Sequence, residues 1–72
     1  MQLLTEDQIN QQYRTLTSHQ RARIMVVQKS CVDAARGILF NTPKTPEVEA
    51  GISELRKLGE AAIRAIETEH LV

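Results

Sequence analysis

Aromatic residues are nearly absent from this chain of 72 residues. It holds one Tyr, one Phe and no Trp, although 42% of it is hydrophobic. The apolar content is therefore Ala, Val, Ile and Leu, which suits helix packing. A single cysteine, Cys31, excludes an internal disulfide and fits a reducing interior. With it, His19 and His70 lack the spacing of a metal site. No run of about 18 apolar residues occurs, so no membrane span is expected. Residues 1–30 have neither the basic start nor the apolar centre of a signal peptide, and the cytoplasm is the simplest expected location. An excess of either charge is missing too. A net charge of zero argues against a globally basic binder of long nucleic acid.

So short a chain forms one domain at most, residues 1–72, with a core that is marginal alone. Disulfide and metal are excluded as supplements, which leaves oligomerisation. Charge is also unevenly placed: residues 18–40 carry a net +3 and residues 46–69 a net −3. Segments of opposite sign suit each other as antiparallel neighbours or across subunits.

Three helices are predicted. Thr5 and Gln8 stand in capping-box spacing, with Leu4 and Ile9 as a hydrophobic staple, so a short helix should cover about 6–13. Under ten residues it cannot persist alone and must dock. Thr17 and Gln20 repeat the spacing and start a second helix over about 18–40. Ile24, Val27, Cys31, Ala34, Ala35 and Ile38 form its main apolar stripe, and Met25, Val32 and Leu39 a second. Gly37 should fray its last turn. Pro43 and Pro46 then break the chain. Thr45-Pro46-Glu47 reads as cap, first helical residue and acid at the positive end of the helix dipole, opening a third helix over about 46–69. Ile52, Leu55, Gly59, Ala62 and Ile66 recur as a heptad-like seam, with Gly51 and Gly59 small enough for close helix approach. The expected fold is all-α: an antiparallel two-helix hairpin with a short N-terminal helix. Its surplus apolar faces call for assembly into a compact helical bundle.

No catalytic constellation, phosphate-binding glycine loop or metal set is present, so no enzyme and no cofactor are expected. Arg56, Glu60 and Arg64 are spaced for ion pairs on a solvated face. Two roles are open for Tyr13: packing the first helix onto the hairpin, or stacking its ring on a base. Arg14 is either a phosphate partner or a solvated charge. Lys29 either snorkels past its valine neighbours or meets a phosphate at a subunit boundary. Arg64, set among Ala61, Ala62, Ile63, Ala65 and Ile66, lies at the seam edge or points at an anion on an oligomer axis.

The string Tyr13-Arg14-Thr15-Leu16-Thr17, a helix with Lys29, a proline turn, and Leu55 followed by Ala61-Ala62-Ile63-Arg64-Ala65-Ile66 resembles one phage family. These are small helical-hairpin proteins that counter bacterial CBASS defence by sequestering cyclic nucleotides, and the domain is shared with anti-Thoeris proteins that trap cyclic ADP-ribose-type signals. The resemblance spans roughly residues 9–68. It implies a homohexamer in the host cytoplasm that binds cyclic dinucleotides, and trinucleotides in a second pocket, without cleaving them. It implies that Tyr13 stacks on the bases in a pocket between protomers, and that Arg64 belongs to the trinucleotide pocket near the threefold axis. The family's phosphate-binding Lys falls by spacing on Gln28, one residue before Lys29, so both are carried as candidates. The Gly that often follows that Lys is replaced here by Cys31 or Val32.

A rival reading is a helical interaction module that binds RNA or a partner protein helix. It needs a basic outer stripe, for which Arg21, Arg23, Lys29 and Arg36 are available.

Overall fold

A computed structural model describes residues 3–69. Among them are three helices and no strand: α1 Glu6–Gln12, α2 Ser18–Asn41 and α3 Pro46–Glu67. The all-helical class is as expected. A threonine starts each helix. Thr5 and Thr17 each accept the backbone N–H three residues on, at 3.3 and 3.1 Å, while Gln8 and Gln20 reach back to the cap N–H at 2.9 Å each. Thr45 accepts the Val48 N–H at 3.2 Å, with Pro46 opening the first turn. These side chains satisfy donors that a helix start otherwise leaves orphaned.

The ends differ slightly from expectation. α1 stops at Gln12, and α3 at Glu67, where Thr68 returns its N–H to the Arg64 carbonyl at 3.1 Å. His70 lies outside the described residues. The last turn of α2 is not frayed by Gly37. Asn41 Nδ2 donates to the Gly37 carbonyl at 2.6 Å, and Thr42 Oγ1 to the Ile38 carbonyl at 2.7 Å. Two side chains thus close carbonyls that the sequence pattern left open.

The first turns of α2 lie against the end of α3. Gln20 Nε2 donates to the Ile66 carbonyl at 3.0 Å, and Arg23 pairs with Glu69 through two bonds of 2.8 and 2.7 Å. α1 packs on α2. Beside it the Leu4 N–H donates to Gln28 Oε1 at 3.0 Å, and Arg21 Nη1 braces the connecting turn at the Leu16 carbonyl, 2.6 Å away. The Arg56, Glu60 and Arg64 pairs do not form. Among the described residues the ion pairs are Arg23–Glu69 and Lys57–Glu54.

Burial is sparse. Among the described residues Ile9, Ile24 and Ile66 are the buried hydrophobic side chains, joined by Gln20, Gln28 and Gly59. On α3 the expected seam faces inward, with Ile52, Leu55 and Ala62 half-buried between those residues. On α2 the expected stripe is only partly covered. Val27, Cys31 and Ala35 are half-buried, while Ala34 and Ile38 are exposed. The chain exposes 5463 Å², against about 4,500 Å² for a compact monomer of its 8.1 kDa. Its radius of gyration is 13.8 Å, against about 11 Å for a compact chain of this length. One copy of this chain leaves much of its apolar surface wet.

Gly51 does not serve close helix approach. A Cβ there, or at Gly37, would meet nothing within 4 Å. Both sit inside helices, where glycine carries excess unfolded-state entropy. Gly37→Ala and Gly51→Ala should each stabilise by about 0.5–1 kcal/mol, read as a raised urea midpoint. A loss of stability at either site would mean that another copy approaches the backbone there.

Candidate ligand-binding site

Tyr13 follows directly on α1, and its backbone is held on three sides. Its N–H donates to the Ile9 carbonyl at 2.9 Å. Its carbonyl accepts the Leu16 N–H at 3.0 Å and Arg21 Nη1 at 3.5 Å. The side chain is half-buried, and its hydroxyl accepts from Gln12 Nε2 at 3.3 Å. Burial pushes the phenol above its ordinary 10.0, and the nearby Glu67 carboxylate pushes it further. A raised phenol pKa contributes stability below the ordinary value, which is lost as pH climbs through the folded one. With one Tyr and no Trp, absorbance at 295 nm reports this group alone. The titration midpoint should lie above 10.0 and fall, without reaching 10.0, in Glu67→Gln, because burial is the larger cause. A midpoint unchanged by Glu67→Gln would refute the contact.

Part of the side chain is therefore covered near Glu67 of α3, and part stays open. Glu67 repels anions on its side of the ring. Arg14, the next residue along the chain, is exposed.

Gln28 and Lys29, adjacent in sequence, have opposite fates. Gln28 is 4% exposed with its oxygen taken by Leu4, and its Nε2 has no partner. Lys29 is exposed. Of the two phosphate candidates, only Lys29 is open to solvent, because Gln28 shares the inward stripe of Gln20 and Ile24 at four-residue spacing. Lys29 stands about 18 Å along α2 from Thr17, at about 1.5 Å per residue. Arg64 is exposed, and two residues from the inward-facing Ile66 it projects from the opposite side of α3. Tyr13 and Arg14 are neighbours in sequence, and Lys29 and Arg64 stand exposed on different helices.

Sequence reasoning missed Gln20 and Gln28 as buried residues. Polar residues do not register in an apolar stripe. The available signal was their flanking of Ile24 at i−4 and i+4. No cluster of His, Cys, Asp or Glu able to hold a metal occurs among the described residues. No helix there is long and apolar enough to cross a membrane. No family model, curated protein or solved structure matches the chain.

Proposed function

We propose that this protein is a non-enzymatic sponge for cyclic oligonucleotides, which withholds CBASS-type second messengers in the cytoplasm of a phage-infected host. It acts as a homohexamer of antiparallel helical hairpins, with pockets between protomers. The observation that carries the reading is the incompleteness of the site. Tyr13 offers a half-open ring beside Arg14, while the cation suited to a second phosphate, Lys29, is far along α2 on an open face. A neighbouring copy supplies what one chain lacks, and symmetry furnishes two cations for two phosphates. The family resemblance in residues 9–68 names the ligand class. A sponge needs affinity and abundance rather than turnover.

The test is a thermal-shift panel of cyclic dinucleotides, cyclic trinucleotides and cyclic ADP-ribose isomers, paired with native mass spectrometry. A ligand at 100 times its Kd adds about 2.7 kcal/mol, a shift on the order of 10 °C for so small a domain. The spectrum should show intact ligand on an oligomer. No shift with any panel member would sink the reading.

A second reading, an interaction module for a partner protein helix, draws on the exposed run Ile38, Leu39 and Phe40 at the end of α2. Its RNA-binding form is disfavoured, because Arg21 braces a turn and Arg23 is paired with Glu69. That leaves Lys29 and Arg36 of the basic stripe. Retention of a foreign helix by a monomer, without any nucleotide shift, would favour this alternative.

A further inference from the structure

A groove lies at the far end of the helix pair from Tyr13. Between the second half of α2 and the first half of α3 lies a trough of about 220 Å³. Val32, Ala35, Leu39, Ile52 and Leu55 make its apolar floor, and Cys31 lies at one end. Arg36 and Arg56 flank it, and neither has an ion-pair partner among the described residues. α1 docks beside Gln28, nearer the start of α2, and leaves this half of the helix pair uncovered.

At the same end stands Phe40, the chain's one phenylalanine and 87% exposed. It lies one residue after Leu39 in the helix, about 100° around the axis, and stands outside its own trough. A solvent-exposed phenylalanine beside an empty apolar trough is a matched pair that one chain cannot close.

We infer that the trough of one copy receives Phe40 of a second copy, and that the exchange is reciprocal about a twofold axis. Three observations select this occupant over a foreign one. The end that carries the trough exposes Ile38, Leu39 and Phe40 in succession, an apolar run that a second copy would cover together with the trough. Plug and socket occupy the same end of one molecule, which a self-complementary twofold contact requires. The charges also match. Glu47 and Glu49 open α3 just beyond Phe40, outnumber Lys44 of the connecting turn and have no ion-pair partner among the described residues, so the end that carries Phe40 brings net negative charge to the Arg36 and Arg56 rim. The inference rests on the self-assembly in the proposed function, and it names which surface mediates one of the contacts.

The native cysteine makes a direct test. Within one chain, positions 31 and 40 lie about 13 Å apart along α2 and on opposite faces, beyond the roughly 7 Å Cα separation a disulfide can span. In Phe40→Cys, mild oxidation with glutathione disulfide should therefore yield a covalent dimer whose peptides map to a linkage between 31 and 40. Adding Cys31→Ser should abolish that linkage. Because Phe40 is exposed, the variant should keep its helical circular dichroism. A second variant, Ala35→Phe, fills the trough from within. It should lower the oligomeric state seen by light scattering and cut the yield of 31–40 linkage in the Phe40→Cys background at least tenfold.

A dominant 40–40 linkage, or an Ala35→Phe variant that assembles as the wild type does, overturns this inference and leaves the assembly and the sponge reading standing. A trough filled by a small molecule or foreign helix would give that same result. A monomeric wild-type protein overturns both the inference and the assembly. Failure of the nucleotide panel with a mapped 31–40 linkage overturns the sponge alone.

Discussion

Replacing Ile24 with alanine should cost about 2–5 kcal/mol, the range for truncating a buried isoleucine. The effect should exceed that of any other single truncation in α2. Ile24 is 0% exposed. It sits midway on the stripe whose upper neighbour, Gln20, bonds to α3 and whose lower neighbour, Gln28, bonds to Leu4. Removing three carbons there opens a void where all three helical segments are tied together. A small domain has only about 5–15 kcal/mol to lose, and among the described residues three large apolar side chains are buried. At concentrations too low for assembly, Ile24→Ala should be mostly unfolded by circular dichroism. A urea midpoint shift worth under about 1 kcal/mol would show that the core lies elsewhere. Val26→Ala and Leu58→Ala are the contrast, since both residues are more than 60% exposed in one copy. In dilute monomer they should cost under about 0.5 kcal/mol, and a larger cost that appears only at high concentration would place them in an interface.

Tyr13→Ala should weaken cyclic-dinucleotide binding by about 5- to 150-fold, the equivalent of a stacking contact of about 1–3 kcal/mol. Assembly should survive, because the three bonds that hold this position use its backbone and remain in the variant. Tyr13→Phe should bind nearly as well as the wild type, since the ring face is kept and only the contacts near Gln12 and Glu67 are lost. Arg14→Ala should weaken binding less, and its loss should shrink as salt rises. Isothermal titration at two salt concentrations separates these outcomes. Wild-type affinity in Tyr13→Ala would rule out stacking. Loss of assembly in that variant would assign the ring to packing.

The helix boundaries were largely legible because local chemistry sets them. Thr5 with Gln8, Thr17 with Gln20, and Thr45 with Pro46 state where each helix begins, and the structure starts all three there. The α3 seam was legible too, since its apolar residues share one face. The α2 stripe was less so. Apolar residues wrap more than one face of that helix, so periodicity could not say which face the other helices cover. Inward placement of Gln20 and Gln28 was invisible for a related reason: a buried amide is chosen by its partner, here a carbonyl 46 residues away or an N–H 24 residues away. The candidate site was legible as residue types, Tyr13 with Arg14 and a choice between Gln28 and Lys29. Burial narrows that choice, because no pattern in sequence states which of two adjacent polar residues faces inward.

The side chain of Gln20 also has a dynamic consequence. Its oxygen holds the Thr17 N–H at the start of α2, while its nitrogen holds the Ile66 carbonyl near the end of α3. One amide group thus closes two helix ends. It cannot swing away from one without straining the other, so these ends should open together as a single cooperative unit. Backbone amides at the start of α2 should then exchange with solvent in step with those at the end of α3, on a clock separate from the turn around Pro43.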